Sequence, residues 1–430
     1  MSEDILAKHD LSAAQEPETI DSRYAGTMQI SVVSSIGLIP VENATVTISY
    51  TGDPESPLEV LTTDSSGQTP TVTLPAPPLE LSLNPEAEEQ PYAEYNITVT
   101  AEGYEPVLVS GSEVFADELS LQPIRMNPLA IPEEEKIVII PAHTLFAEYP
   151  PKIPEDEIKP MAETGEIVLS RVVIPEYVIV HDGVPEDSTA PNYWVRYKDY
   201  IKNVASCEIY TTWPESSLYA NLLVIQSFTL NRVYTEWYRN QGYDFTITSS
   251  TAYDQKWVYG RNIYENIDYL VDTIFANYLS RPGVRQPIFT SYCDGKRVTC
   301  DGLSQWGSKY LGDQGYSAID IIHYYYGNDM YINSADFISG VPSSWPGYDL
   351  GIGASGEKVS QLQNQLNRIA RNYPAIPTVT ADGIYGPATA EAVRTFQGIF
   401  DLPQTGVTDY PTWYEISDIY VGVTRIAEPG

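Results

Sequence analysis

The stretch DYIKNVASCEIYTTWPESSLYANLLVIQSFTLNRV, residues 199–233, sets the architecture of the central part of this 430-residue chain. Ile201, Val204 and Ala205 fall at helical spacing, which predicts an amphipathic helix with one face toward a core. Glu208 follows on that same face, seven residues after Ile201. Burial against apolar neighbours raises the pKa of a carboxyl group, so Glu208 is a candidate general acid. The alternative is a structural glutamate at a helix end, bonded to a nearby backbone N–H.

The charge separates the chain into a strongly acidic first part and a less charged remainder. Residues 1–160 hold 28 acidic and 6 basic side chains, a net charge of −22, which leaves −12 of the total −34 for residues 161–430. A field of this sign repels nucleic-acid phosphates and anionic lipid, so we expect neither a nucleic-acid partner nor membrane insertion. The sequence shows no secretory leader and no run of ~18 apolar residues, which predicts synthesis in the cytosol without a signal peptide.

The N-terminal part shows short alternating segments separated by turn residues. MQISVV and ATVTISY alternate apolar and polar residues, and TDSSGQT is a turn cluster. The pattern predicts an all-β sandwich over residues 28–122, after a polar tail of residues 1–27. PVENATVTI and YNITVTAEGYEPV resemble segments of the carboxypeptidase-regulatory-like sandwiches. Residues 123–160 are rich in proline and glutamate and predict an extended connector.

Strand and helix patterns follow one another in residues 161–340, which predicts a central mixed α/β domain. The segment ENIDYLVDTIFANYL predicts one helix whose apolar stripe is Ile267, Leu270, Ile274 and Tyr278. A linker over residues 341–349 comes next. The chain is therefore predicted to be multidomain, in keeping with a length of about three domains of ~100–200 residues.

The C-terminal part, residues 350–430, is predicted to contain two amphipathic helices joined by the turn DGIYG, the first with the apolar stripe Val359, Leu362, Leu366 and Ile369. GASGEKVSQLQNQL and DGIYGPATAEAVRTFQGIFDLPQTGVTDYPTW resemble the peptidoglycan-binding module of cell-wall hydrolases. The matching positions are Asp382, Gly383, Gly386, Thr389, Phe396, Gln397, Gly406 and Trp413. The resemblance implies a small three-helix domain that binds peptidoglycan. Its DG turn and helix starts predict backbone N–H groups that are free to bind a glycan or a peptide carboxylate.

Two further motifs lie in the central domain. Tyr200, Glu208 and Trp213 are spaced by eight and five residues, and CDGLSQWGSKYLGDQGYSAIDIIHYYYG, residues 300–327, forms the second motif. In this order they resemble the SpoIID family of sporulation lytic transglycosylases. The resemblance implies that Glu208 is the catalytic acid/base, and we expect no cofactor. It implies substrate-binding roles for Trp213, Asn221, Gln226, Ser304, Gln305 and Trp306.

Some positions depart from the family pattern. The usual residues are replaced at Asn221 and Gln226, and threonines stand where histidines are common at Thr290 and Thr299. We therefore expect no metal. Cys293 and Cys300 are seven residues apart and allow one bridge or one shared metal site. Three cysteines in 430 residues nevertheless favour free thiols.

The order of these parts resembles the clostridial spore cortex-lytic enzymes. The resemblance implies a zymogen synthesised in the mother-cell cytosol and stored in the cortex and coat region of the spore. A subtilisin-like Csp protease would remove the N-terminal prosegment at germination, and the enzyme would then degrade cortex peptidoglycan.

Two other functions stay open at the level of sequence. One is a catalytically inactive peptidoglycan-binding structural protein of the spore. The other is a glycoside hydrolase with two carboxylates, in which Asp199, Glu215 or Glu236 would be the partner of Glu208. The products distinguish them, because a transglycosylase leaves an anhydro end and a hydrolase leaves a reducing end.

Overall fold

The computed structural model describes residues 21–129, 136–159, 171–335, 337–339 and 345–424. Most of the predicted tail, part of the predicted linker and the residues after Thr424 lie outside the described residues. Within the described part, no helix is long and apolar enough to cross a membrane.

The N-terminal part forms two sheets around one core. Its elements are β1 (Ala25–Ser34), β2 (Thr45–Tyr50), β3 (Asp53–Thr62), β4 (Val72–Pro75), α1 (Leu79–Leu83), β5 (Ala93–Thr100), β6 (Val107–Val114), β7 (Leu119–Met126) and β8 (Lys136–Ile139). One sheet has the order β3-β2-β5-β6-β8, and in the other β1 lies between β4 and β7. Met28 and Ile30 of β1 and Val46 and Ile48 of β2 are fully buried in this core, as their alternation predicts.

The central part combines short strands with helices. Its elements are β9 (Val173–Ile174), β10 (Tyr177–His181), β11 (Asn192–Arg196), α2 (Tyr197–Glu208), α3 (Glu215–Tyr234), β12 (Ile247–Thr248), β13 (Ile263–Tyr264), α4 (Glu265–Ile274), β14 (Asn277–Ser280), β15 (Tyr292–Cys293), β16 (Leu303–Ser304), α5 (Gln305–Asp313), α6 (Ala318–Tyr326), β17 (Tyr331–Ser334) and β18 (Phe337–Ile338). Helix α3 is the centre, with 17 of its 20 residues buried. Burial on all sides is typical of a core helix.

Helix α4 is shorter than its apolar stripe predicts. It ends at Ile274, and Tyr278 belongs to β14, which pairs with β17. All four stripe residues are buried. The pairing joins segments about fifty residues apart, as in Leu279 opposite Ile332, and local periodicity carries no information on such a partner.

The C-terminal part contains α7 (Glu357–Ile369), α8 (Pro387–Ile399) and α9 (Tyr410–Thr424). The predicted stripe of α7 is buried, and α9 packs on both α7 and α4. The Lys198 ammonium of α2 lies 3.2 Å from carboxylate oxygens of Asp272 and Asp418, and it also binds Glu415. The C-terminal domain is thus joined to the central domain by a buried ionic cluster.

The sandwich and the central domain share their interior. Strand β13 of the central domain pairs with β7 of the sandwich, placing Ile263 opposite Leu121. Arg261 donates to Glu113 at 2.7 Å, and each of these two side chains is 1% exposed. Although burial alone would lower the pKa of Arg261, the Glu113 carboxylate raises it well above its usual range.

The predicted connector, residues 123–160, is more structured than its composition indicates. Strand β7 continues to Met126, and β8 pairs in parallel with β6 as an edge strand of the sandwich. Farther on, Glu155 binds the buried guanidinium of Arg232 at 2.6 and 2.9 Å. Proline and glutamate content predicts extended chain, but it does not predict what that chain packs against.

The cysteines also differ from the expectation of free thiols. Cys293 and Cys300 form a disulfide with their Cα atoms 6.1 Å apart, whereas Cys207 is free and buried. Among the described residues there is no group of three or more His, Cys, Asp or Glu side chains placed to hold a metal ion.

Candidate active site

Glu208 is the last residue of α2, and its side chain is turned into the protein. The residue is 4% exposed. Its Oε1 accepts a hydrogen bond of 2.7 Å from the backbone N–H of Lys256, and its Oε2 accepts one of 2.6 Å from the hydroxyl of Tyr292. The bond from a backbone N–H, which a structural glutamate would also make, is therefore present. The bond from the Tyr292 hydroxyl is additional, since a helix can end without it.

A second layer of hydrogen bonds orients Tyr292. The amide nitrogen of Gln255 donates to the Tyr292 hydroxyl oxygen at 3.1 Å, which leaves the hydroxyl proton directed at Glu208. The amide oxygen of Gln255 accepts from the hydroxyls of Tyr200 and Thr229 at 3.1 and 2.7 Å. Tyr200, the first residue of the Tyr–Glu–Trp motif, thus acts on Glu208 through two intermediates.

The electrostatics of the site favour a protonated carboxyl group. Burial raises the pKa of Glu208 above its usual value, and the Lys152 ammonium and the two hydrogen bonds only partly oppose this shift. Burial lowers the pKa of Lys152. Its ammonium lies 4.6 Å from the centre of the Tyr292 ring and donates to the carbonyl oxygen of Asp254. A raised pKa keeps the carboxyl group protonated to higher pH, which suits a general acid.

A cavity of about 450 Å³ lies in front of Tyr292. One wall is chain from the predicted connector, including Thr144, Tyr149 and Lys152, and the opposite wall is the disulfide loop with Asp294 and Arg297. Tyr292 and Gln305 belong to the lining, whereas Glu208 lies behind it.

The second motif reaches the site through a strand pair. Strand β16 lies beside β15, with Leu303 opposite Tyr292 and Ser304 opposite Cys293. Ser304 caps α5 by accepting from the N–H of Gly307 at 2.9 Å, and the next residue, Gln305, lines the cavity. The two motifs predicted to form one site therefore meet, with Tyr292 between them.

The two predicted tryptophans pack together beside the site. The ring centres of Trp213 and Trp306 are 4.9 Å apart, and Tyr210 contacts both rings. The indole N–H of Trp213 donates to the carbonyl oxygen of Ser82 in α1 at 3.1 Å. In this structure Trp213 thus binds the sandwich.

Asn221 and Gln226, which the family resemblance predicts to bind substrate, lie in the core. They are 1% and 0% exposed. Asn221 donates to the Ser217 carbonyl and to the Ser308 hydroxyl, both at 2.8 Å. With its amide turned to donate, Gln226 reaches the carbonyl oxygens of Phe275 and Ile274 at 3.0 and 3.1 Å. Because α3 is buried on all sides, neither side chain faces the cavity.

None of the candidate second carboxylates faces the cavity in front of Tyr292. Asp199, Glu215 and Glu236 are absent from the cavity lining, and Glu236 instead pairs with Arg239 at 3.5 Å. Sequence reasoning missed Tyr292, Gln255, Lys152 and Arg297. Tyr292 precedes a cysteine in a loop-rich stretch, and no local pattern connects it with a helix 84 residues earlier.

The DG turn of the C-terminal domain is used internally. The N–H of Gly383 donates to the side chain of Gln363 at 2.8 Å, and the N–H of Ile384 donates to Asp382 at 2.9 Å. These N–H groups, predicted to bind a ligand, instead hold the domain together. The side chain of Ile384, next to these N–H groups, is exposed and takes no part in these bonds.

Comparison with known proteins identifies one domain. Residues 355–416 match the family PG_binding_1, described as "Putative peptidoglycan binding domain". No curated protein matches the sequence significantly.

Two solved structures share short stretches of chain. The minor pilin GBS52 of Streptococcus agalactiae is 13% identical over 28% of this chain and 49% of its own, with a TM-score of 0.18. Chlorocatechol 1,2-dioxygenase of Pseudomonas putida is 14% identical over 28% of this chain and 63% of its own, with a TM-score of 0.16. This chain thus spans about half of the pilin and less than two thirds of the dioxygenase. The family match supports peptidoglycan binding by the C-terminal module.

Proposed function

We propose that this protein is a lytic transglycosylase that degrades spore cortex peptidoglycan. The observation that carries the proposal is the burial of Glu208 between two hydrogen-bond donors, in a chain with a peptidoglycan-binding module. A raised pKa suits a general acid, and the module brings a glycan substrate to the same molecule.

One carboxyl group suffices for this chemistry. Protonated Glu208 gives its proton to the glycosidic oxygen as the bond from the muramoyl anomeric carbon breaks. The resulting carboxylate then takes the proton of the muramoyl 6-hydroxyl, whose oxygen bonds to the anomeric carbon. The products are a 1,6-anhydromuramoyl end and a free glucosamine 4-hydroxyl. No water is consumed, so no second carboxylate is required to activate one.

The same resemblance leads us to propose a zymogen, similar to the clostridial spore cortex-lytic enzyme SleC. In this proposal the protein is stored in the spore, and a subtilisin-like Csp protease removes N-terminal residues at germination. The low exposure of Glu208 supports storage in an inactive form, because the residue is 4% exposed and does not line the cavity in front of Tyr292.

The decisive experiment is mass spectrometry of the fragments that the protease-activated protein releases from cortex peptidoglycan. We expect anhydro-ended muropeptides, and we expect Glu208→Gln to reduce their release by ~10²–10⁴, the usual contribution of general acid–base catalysis. Release by the variant at the rate of the unaltered protein would refute the role of Glu208.

A second candidate is an inactive peptidoglycan-binding protein of the spore. The placement of Asn221 and Gln226 in the core favours it, because two expected substrate contacts are missing. Under this alternative the activated protein would bind cortex without releasing soluble fragments.

A further inference from the structure

We infer that residues 142–152, here called the cover segment, are the part of the chain that inhibits the site at Glu208. Activation then requires release of the cover segment from Arg297. Removal of the sandwich without that release leaves the protein inactive. The inference rests on the proposed function and specifies its regulation.

The cover segment contacts residues next to Glu208. The N–H and the hydroxyl of Thr144 both donate to the carbonyl oxygen of Cys207, at 3.1 and 2.9 Å. Cys207 directly precedes Glu208, so this contact occupies the open end of α2, where carbonyl groups lack partners within the helix. At the other end of the segment, Lys152 lies over the ring of Tyr292. The cover segment therefore contacts both the residue that precedes Glu208 in the chain and the tyrosine that donates to its carboxylate.

Arg297 holds the cover segment from the opposite side of the cavity. Its guanidinium donates to three consecutive carbonyl oxygens, those of Phe146 at 2.8 Å, Ala147 at 2.6 Å and Leu145. Three bonds from one cation fix a length of backbone whatever its side chains are, and bonds with a charged donor are stronger than neutral ones.

The loop that carries Arg297 is itself held in place. The Cys293–Cys300 disulfide closes it, and the Asp294 carboxylate accepts from the N–H groups of Arg297 at 3.1 Å and Val298 at 2.8 Å. The loop begins directly after Tyr292, the donor to Glu208. Arg297 is thus fixed relative to the candidate acid and holds the cover segment at a defined place.

The sandwich, by contrast, does not border the cavity. None of the described residues that line it precedes Thr144. The sandwich binds the central domain through Glu113 on Arg261 and through Ser82 on Trp213, and it contacts the cover segment where the Tyr92 hydroxyl accepts from the N–H of His143 at 3.1 Å. A cut between β7 and β8 would leave the cover segment on Arg297, with its following residues still anchored where Glu155 binds Arg232.

The test uses the full, uncut chain with Arg297→Ala. A second variant, Thr144→Pro, removes both donors to Cys207 from the cover side and leaves Arg297 intact. The control is Arg285→Ala, which changes an exposed arginine of the central domain outside the cavity lining. The readouts are hydrogen exchange of residues 142–152 and release of anhydro-muropeptides from cortex peptidoglycan.

We expect exchange of the cover segment to rise about 10- to 100-fold in both variants, because Arg297→Ala loses three charge-assisted bonds and Thr144→Pro loses two neutral ones, all in a partly exposed setting. The uncut variants should also gain measurable turnover, and Arg285→Ala should change neither readout. Unchanged exchange in both variants would overturn the inference. The inference would also be overturned if exchange rose in the variants without turnover while removal of the sandwich alone activated the protein. If exchange rises but no cut or uncut form cleaves cortex, the proposed function fails, and inhibition of it fails with it.

Discussion

Replacement of Glu113 by glutamine tests whether the sandwich is bound to the central domain through its interior. The variant keeps the shape of the side chain but leaves the buried guanidinium of Arg261 with neutral partners, among them the Ser206 carbonyl oxygen at 2.7 Å. Removing one partner of a buried ion pair costs about 3–5 kcal/mol. Because both side chains are 1% exposed, solvent cannot screen the loss, and we expect a cost within that range.

The assay is urea unfolding of the full chain, followed by tryptophan fluorescence. Trp213, one of seven tryptophans in the chain, bonds to Ser82 of the sandwich, so separation of the two parts changes its contribution to the total emission. The matched control is Glu94→Gln, because Glu94 is near Arg261 and only half-buried and should lose less than about 1 kcal/mol. The double variant Glu113→Leu, Arg261→Met should recover most of the stability, since it leaves no buried charge unpaired. A loss below about 1 kcal/mol for Glu113→Gln, or a double variant as unstable as the single one, would refute this account.

Three further predictions follow from the site and from the C-terminal interface. Tyr292→Phe removes a donor that lowers the pKa of Glu208, so the alkaline limb of the pH–rate profile should move to higher pH; an unchanged limb contradicts the role of Tyr292. The pKa of Glu208 is raised in the folded protein. Its contribution to the free energy of unfolding is therefore fully present at pH values below 4.5, the ordinary pKa, and is lost as the pH rises through the pKa of the folded state. Glu208→Gln should therefore gain stability relative to the unaltered chain as pH rises, measured by urea unfolding at several pH values, and a constant difference would count against the raised pKa. Lys198→Met should cost about 3 kcal/mol, because it leaves Glu415 and Asp418 without this cation and Asp272 with Lys202 alone, whereas Arg394→Met at an exposed pair should cost under about 0.5 kcal/mol; equal losses would show that the cluster does not join the domains.

Local patterns in the sequence were enough to predict several elements. The alternation in β1 and β2, the apolar stripe of α2 that ends at Glu208 and the stripe of α7 all follow from periods that any short window reveals. The C-terminal module was found in the same way, through residues close together in the chain, and the family match supports it.

The surroundings of Glu208 depended on contacts between distant segments. Tyr292 lies 84 residues beyond Glu208, and Arg297 lies about 150 residues beyond the carbonyl groups it binds. Composition predicted an extended connector, yet it held nothing to show that the connector would lie across a candidate active site. Hydrogen bonds and packing between remote segments form only once the chain is folded, and no periodic pattern encodes which partners will meet. Helices and strands were therefore readable from neighbouring residues, whereas the cover over Glu208 was decided by the tertiary structure alone.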